Sequence, residues 1–498
     1  MIVTLAEIAA AAGGRVEPAA SASVQVDGFA HDSRSLVPGS LFCAILDRRD
    51  GHAFVADAIR AGAGAAMVER RPETVDPEVP IVIVDSVIAS MANVAAWARR
   101  VHLADATVVG ITGSTGKTST KDLLRAALAT RRQVHANDAS FNNEIGLPTT
   151  LLAAPVSTEF VICEMGARFV GNIADLCAIA APDIGLITNI GTAHGEHLGG
   201  PAGVLAVKSE LLAALPERGL AVLPADDATL ASLRSATRSR VLTAGADVAA
   251  DVVVRVLDLD AELRADIELQ SPWGKVRARL GLRGVHQAAN AALAATVALD
   301  AGIDPDDVGA GLEAARGSAW RMELSVSQVG TRVLNDSYNA NPQSVAAAID
   351  ALASLTGPNA GRRIAVLGVM RELGEHSEAE HRAIGRRVAA HGIDVLVTVG
   401  DDSDISALAE AARADGVAVV EVSDVAAATS AIAELGLGPD DAVLVKASRA
   451  VGLERVAAAI LEAMSRESGP PIFQPDLDLP TDRSAAGGST SAAGGSAQ

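Results

Sequence analysis

Between Gly110 and Thr118 the chain reads Gly-Ile-Thr-Gly-Ser-Thr-Gly-Lys-Thr, a glycine-rich turn after the apolar run Ala106-Thr-Val-Val and before an Ala/Leu-rich helical pattern. Such a turn exposes consecutive backbone N–H groups, and the helix behind it adds its positive end, so an anion meets donors and a favourable dipole together. The chemistry expected of Gly113, Ser114, Thr115, Gly116, Lys117, Thr118 and Ser119 is nucleotide phosphate binding. Lys117 would reach the outer phosphates, and the Thr118 hydroxyl would sit on Mg2+, which takes oxygen ligands. Position 111, where a strict phosphate-loop pattern has its leading glycine, is Ile, and glycines recur instead at 110, 113 and 116. The alternative is a strand-to-helix turn whose glycines serve packing alone. A lysine in a first helical turn opposes the dipole and needs a reason.

Other polar clusters end apolar runs in the same way. Phe160-Val-Ile-Cys leads into Glu164, a candidate Mg2+ ligand whose other reading is a solvent-facing carboxylate at a strand end. Gly185-Leu-Ile-Thr-Asn-Ile leads into Gly191-Thr-Ala-His-Gly-Glu-His, which makes His194 a metal-ligand candidate. His194 and His197 alone would suggest zinc, but no third ligand has a supporting spacing, and phosphate chemistry favours Mg2+. Lys208, at the start of an amphipathic pattern, reads by itself as a surface lysine. Asn290, early in a long Ala-rich helix, offers the donor and acceptor needed to read an adenine edge, or is an early-helix polar residue. Arg321, between Trp320 and Met322, carries a fixed guanidinium suited to a transferring phosphoryl group. The segment Leu334-Asn-Asp-Ser-Tyr-Asn-Ala-Asn-Pro342 holds Tyr338, the chain's only tyrosine, read as a ring wall for a ligand or as a capped turn residue.

The elements that must position these residues follow an α/β rhythm. At 498 residues the chain exceeds one ordinary core, and three domains are expected. Residues 1–103 alternate short strands (Val24 to Phe29, Ser40 to Ile45, Ile81 to Val84) with helices such as Ala53 to Ala61 and Ala89 to Arg100, a small α/β unit. Residues 104–317 carry buried strands (Phe160 to Cys163, Gly185 to Ile190, Leu220 to Leu223) between helices, a phosphate-loop-type, mostly parallel sheet. Three alternating runs, Val252 to Leu259, Ala265 to Leu269 and Val276 to Leu282, suggest an antiparallel edge or an added sheet. Residues 318–467 place strands at Ile364 to Leu367, Val395 to Val399, Ala418 to Val422 and Ala442 to Val445, a Rossmann-like α/β rhythm without a glycine fingerprint. The Gly/Ala/Ser-rich stretch 468–498 reads as a disordered tail.

Composition narrows the class. Apolar residues make up 49% and charged residues 20%, which suits a globular enzyme. A net charge of −20 argues against a nucleic-acid partner, since phosphate backbones are held by clustered Lys and Arg. Cys43, Cys163 and Cys177 lie in apolar stretches without Cys-x-x-Cys spacing and read as reduced core thiols of a cytoplasmic protein. No charge-free run of about 18 apolar residues suggests a membrane span. The first residues lack a basic start and Glu7 interrupts them, so no secretory signal is expected.

Taken together these residues resemble the Mur ligases, ATP-dependent enzymes that extend the peptide of the cell-wall precursor, over nearly the whole chain up to the tail. Tyr338-Asn-Ala-Asn-Pro342, Asn142-Asn-Glu-Ile-Gly-Leu-Pro148 and Met370-Arg-Glu-Leu-Gly374 are similar to the member that adds D-alanyl-D-alanine to UDP-N-acetylmuramoyl-tripeptide through an acyl phosphate. The resemblance implies two Mg2+ ions, one on Thr118 and Glu164 and one on His194 and a carbamylated Lys208. It makes Lys117, His194, Lys208 and Arg321 the catalytic set. It sets Asn189, Asn290 and Asp336 around adenine and ribose, with Tyr338 and Asn339 beside them. Asp32-Ser-Arg34, Gly39-Ser-Leu-Phe42 and Asp50-Gly-His52 are similar to the pocket for uridine and the muramoyl group, with Ser33 and Arg34 as contacts. Asn142, Asn143 and Thr149 would face the muramoyl peptide, and Lys446 and Arg449 the incoming dipeptide. The usual Leu-Gly-Asp-Met segment has Val369 in place of the acid. The rivals are a Mur-type ligase that adds a single amino acid and a catalytically silent nucleotide-binding scaffold. A monomer is expected.

Overall fold

The computed structural model describes residues 1–47, 49–137, 141–191, 200–355 and 361–463. His194, His197 and the 468–498 stretch lie outside the described residues. Three mixed sheets, of five, nine and six strands, follow one another along the chain, with a two-stranded ribbon at the start.

The first sheet runs Arg15–Glu17, Ile81–Ile83, Ala65–Val68, Leu41–Cys43, Phe29–Ala30, parallel except at its first pair. The single strand expected from Val24 to Phe29 is two. Gly28, at φ 93, turns the chain so that Gln25–Asp27 pairs with Ile2–Thr4 while Phe29–Ala30 joins the other sheet. The helix expected from Ala53 to Ala61 begins as a 3-10 turn, Gly51–Phe54, because the Asp50 carboxylate accepts the His52 N–H and tightens the entry; the α-helix proper is Val55–Arg60.

Helix Val87–Val101 carries this unit onto the next. Its buried Arg99 donates to the carbonyls of Leu103 and Ala180 and pairs with Asp183 at 3.0 Å, and its apolar face shares a core with Leu147, Leu151, Ile173 and Leu176.

In the nine-stranded sheet Thr107–Thr112 is flanked by Phe160–Glu164 and Ile184–Ile187, both parallel to it. Val109 and Ile111 point into one core with helices Lys117–Ala129 and Gln287–Asp300, and Val108 into the core on the opposite face. Burial on both faces is why these strands read as unbroken apolar runs. The three alternating runs extend this same sheet as antiparallel strands Val252–Leu259, Arg264–Ser271 and Gly274–Arg283. Strand Arg240–Gly245, not anticipated, bridges them to the parallel part. The helix around Lys208 starts earlier than expected, at Pro201, so Lys208 lies in its second turn rather than at its beginning.

The last sheet orders Glu323–Val326, Arg332–Asn335, Ala442–Lys446, Arg363–Gly368, Val395–Val399, Ala418–Val422, with only the first pair antiparallel. Along Arg363–Gly368, Ala365 and Leu367 pack on helices Pro342–Ser354 and Ser377–Ala390, while Ile364 and Val366 pack on Val425–Glu434 and Glu454–Ala463. This alternation is the doubly wound arrangement. No helix among the described residues is long and apolar enough to cross a membrane.

Candidate active site

Three parallel strands place the chemistry. Glu164 is level with Ile111, and Ile187 with Thr112, so the carboxyl ends of the three strands present the phosphate turn, the acid and Asn189 at one edge. The chain crosses from one side of Thr107–Thr112 to the other here, which leaves a crevice at that edge.

Two glycines of the turn are required by close approach. A Cβ at position 113 (φ 146) would fall 1.9 Å from Thr188 Oγ1, and one at 116 (φ 78) would fall 2.7 Å from Asn290 Oδ1. Asn290 is buried against the turn and donates to Gln287. Asn189 braces the turn from the other side, where its Oδ1 accepts the Thr115 N–H at 3.0 Å and its carbonyl accepts the Ser114 N–H. The Ser114 hydroxyl in turn accepts from the Gly191 N–H. Ser119 is buried in the first turn of the helix.

The Lys117 ammonium folds back onto the turn and donates to the Gly113 carbonyl at 2.6 Å. Burial pushes its pKa down, the Glu164 carboxylate pulls it up and the Arg321 guanidinium pushes it down again, so both charges act on it at short range. Glu164 is 1% exposed, which overturns its reading as a solvent-facing strand end. The Thr118 hydroxyl donates to its Oε2 and the Asn142 amide to its Oε1, both at 2.8 Å. Asn142, expected at the muramoyl peptide, thus also touches the acid. Hydroxyl and carboxylate oxygens meeting at one point are the hard donor set that Mg2+ takes, and they fit it.

Lys208 is not a surface lysine. It is 1% exposed and occupies a core position among Val204, Val207, Leu211 and Leu212, the i, i+3, i+4, i+7, i+8 stripe of its helix. Its Nζ has no hydrogen-bond partner among the described residues. Burial, with the Lys117 charge adding to it, lowers its pKa to about 7, against a weaker pull from Glu210. An orphaned buried amine of this kind is poised to be neutral, the form that adds CO2, and the resulting carbamate oxygens fit a second cation.

A second cluster comes from the last third of the chain. The Arg321 guanidinium lies 4.1 Å from the centre of the Tyr338 ring, so one face of the expected ring wall is covered by arginine. Lys446 is 2% exposed and pairs with Asp336 at 2.6 Å while donating to the Asn339 carbonyl at 2.8 Å. Expected beside the dipeptide, Lys446 holds the Asp336–Asn339 turn in shape. His286, at the foot of the Asn290 helix, senses the charges of both Asp336 and Lys446. The two clusters therefore lie within electrostatic reach of one another. Arg449 stacks on Trp320 at 4.3 Å and pairs with Glu454.

At the far side, Arg34 pairs with Asp32 through two nitrogens and is exposed, and Ser33 is half-buried between them. His31 meets Phe141 edge-on at 6.3 Å, which sets the Asp32–Arg34 turn beside the segment that holds Asn142 and Asn143. The Asn143 side chain caps helix Gly146–Ala153 through the Gly146 N–H, and the Thr149 hydroxyl donates to the Ile145 carbonyl. Both ring nitrogens of His52 are engaged within its own domain, by Asp50 and by the Glu69 N–H.

Sequence reasoning passed over Lys121 and Asp122, adjacent on the helix after the phosphate turn. Buried Lys121 reaches the Asn137 carbonyl at 2.5 Å, and Asp122 accepts the Ser318 N–H and hydroxyl at 3.0 and 2.8 Å. The available signal was two adjacent charges in the buried helix of a phosphate turn.

Comparison with known proteins identifies the setting. The profile described as "Mur ligase middle domain" matches residues 111–298, and "Mur ligase, glutamate ligase domain" matches residues 320–449. The UDP-N-acetylmuramoyl-tripeptide--D-alanyl-D-alanine ligase of Mycobacterium tuberculosis is 39% identical, covering 92% of this chain and 98% of its own. That of Escherichia coli is 33% identical over the same shares. Among solved structures, MurF from Acinetobacter baumannii superposes with a TM-score of 0.81 at 28% identity, over 93% of this chain and 99% of its own. MurF from Thermotoga maritima, in complex with ADP, gives 0.74 at 28% identity, over 89% and 99%.

Proposed function

The chain belongs to the Mur ligase family, and on that premise we propose that it joins D-alanyl-D-alanine to UDP-N-acetylmuramoyl-tripeptide at the expense of ATP. The observation that carries the choice of acceptor is the alignment, over almost their whole length, of ligases named for that one reaction. The edge where Lys117, Thr118, Glu164 and Arg321 converge supports the chemistry.

A carboxylate resists attack by an amine because oxide is a poor leaving group, so its oxygen must first become a phosphate. A tripeptide carboxylate oxygen attacks the γ-phosphorus of ATP, the bond to ADP breaks, and an acyl phosphate forms. Lys117 leaves its carbonyl partner for the phosphoryl oxygens, and Arg321 meets the same charge from the other side of the pocket. The neutral amine of the dipeptide then attacks the acyl carbon, phosphate departs, and the nitrogen gives up a proton. Asn189, Asn290, Asp336, Tyr338 and Asn339 bind the nucleoside and shape the turn. Ser33, Arg34, Asn142, Asn143 and Thr149 line the path of the muramoyl substrate, and Lys446 and Arg449 support the dipeptide side. Thr118 and Glu164 would hold one Mg2+, and Lys208 as its carbamate, with His194 outside the described residues, a second; these ions supply charge neutralisation. Nucleotide substrates support a cytoplasmic enzyme, and a site assembled from one chain supports a monomer.

The test offers ATP, Mg2+ and the muramoyl tripeptide with D-alanyl-D-alanine, D-alanine or L-amino acids, and follows phosphate. Release driven by the dipeptide alone is expected. Release with a single amino acid would move the assignment to another member of the family, and nucleotide binding without acceptor-dependent release would leave a scaffold.

A further inference from the structure

The loop Val369–Gly374 is built with unusual care for a segment that holds none of the charges described above. Glu372 (φ 66) and Gly374 (φ 57) are both in left-handed backbone, and Met370 and Leu373 are 1% and 4% exposed. Left-handed conformation at a glutamate costs energy and persists only where surrounding contacts enforce it.

Those contacts are specific. The Met370 N–H donates to His381 Nε2 at 2.9 Å, the Arg371 N–H donates to Ser448 Oγ at 2.9 Å, and the Ser448 N–H donates back to the Val369 carbonyl at 3.0 Å. His381 is 0% exposed, and its Nδ1 lies 2.8 Å from the Ser377 carbonyl. A carbonyl only accepts, so Nδ1 carries the proton and Nε2 is left as the acceptor that the Met370 N–H requires. The imidazole is thus neutral, in one tautomer, and spans the first turn of its helix and the loop.

The loop also faces the chemistry. Arg168, four residues beyond Glu164, approaches Glu372 at 3.8 Å, and Ser448 stands between Lys446, which holds the Asp336–Asn339 turn, and Arg449 on Trp320. The loop thus reaches, through Arg168, the segment that follows Glu164 and, through Ser448, the strand end that carries Lys446.

We propose that His381 is a positioning residue for the acceptor amine: through the Met370 N–H, and with Ser448 at the Arg371 N–H, it fixes the Val369–Gly374 loop as the wall on which the dipeptide docks. This rests on the dipeptide-ligase reading given above. It assigns His381 no contact with ATP or with the muramoyl substrate.

Steady-state kinetics with each of the three substrates varied tests it, using His381→Leu, which removes the acceptor, and His381→Gln, whose amide oxygen restores one. His381→Leu should raise the dipeptide KM by about tenfold, the worth of one lost buried hydrogen bond. The KM values for ATP and the tripeptide should stay as in wild type, and His381→Gln should recover most of the loss. Positional isotope exchange in ATP with tripeptide alone, which reads acyl phosphate formation, should be unchanged. A dipeptide KM equal to wild type in a folded His381→Leu enzyme would overturn the proposal, as would exchange lost in parallel. If that variant does not fold, Ser448→Ala decides, and an unaltered dipeptide KM there overturns it. Wild-type enzyme that accepts a different amine would sink the dipeptide reading instead, and the clamp would then be read on the KM of that amine.

Discussion

At the scale of single residues, two lysines carry the charge logic of the site. Lys117 is half-buried and Lys208 fully so, and the Lys117 charge raises the cost of protonating Lys208. Lys117→Ala and Lys208→Ala should each abolish dipeptide-dependent phosphate release while circular dichroism stays native, since both side chains act on charge. Near-normal release by either variant would count against the site. Lys208 also writes a pH signature into stability. Its folded pKa of about 7 lies below the ordinary 10.5, so below pH 7 both states hold the proton and the folded state bears the whole penalty. Above that the unfolded chain keeps a proton the folded chain has lost, and stability climbs with pH toward 10.5. Urea unfolding in bicarbonate-free buffer from about pH 6 to about pH 9 should therefore show wild type gaining on Lys208→Met. A constant difference between the two would refute the perturbed amine. Lys117 was legible from the Gly-Lys-Thr spacing. Lys208 was not, because a lone lysine in a helical pattern is ordinarily solvated; the cue was its place in the apolar stripe with Val204, Val207, Leu211 and Leu212.

At the scale of elements, the phosphate turn depends on two neighbours far along the chain. Gly116→Ala forces a Cβ into left-handed backbone and onto Asn290 Oδ1. The backbone term alone is worth about 1–2 kcal/mol, so nucleotide affinity, measured by titration calorimetry, should fall clearly while the fold persists. Unchanged affinity would mean that the turn does not hold the phosphates. The strands of this sheet were legible where burial on both faces made them continuous apolar runs, as in Phe160–Glu164. Arg240–Gly245 escaped because Arg240 at its start and Thr243 in its middle leave only a two-residue apolar run before Ala244-Gly245, and the split at Gly28 escaped because only pairing partners show where one strand stops.

For the whole molecule, the decisive joint runs from Arg316 to Met322. Trp320 (φ 60) and Met322 (φ 51) flank Arg321 in left-handed backbone, and they are held by Glu323 and Asp336, while Asp122 grips Ser318 just before them. The phosphate-turn helix thereby sets the approach of the arginine that meets the phosphoryl group. Asp122→Ala should lower kcat by about tenfold or more, as misplacement of a charge by about 1 Å does, with ATP affinity retained. Rapid-quench measurement of acyl phosphate formation would locate the loss, and a wild-type kcat would remove the joint from the mechanism.

Composition, the Gly-Lys-Thr turn and the period of the apolar residues were enough, read linearly, to establish an α/β chain built around nucleotide phosphates, because backbone N–H groups, dipoles and buried strands impose local residue choices. Convergence was a different matter. That Asn142 meets Glu164, that Asn290 seats Gly116, that Lys446 props the Asp336 turn and that His381 holds the Met370 loop each depend on separate segments being carried to the edge of the nine-stranded or the six-stranded sheet. No local pattern encodes such a distance. It is fixed by parallel register and by which faces of the sheets are buried, and these exist only once the chain has folded.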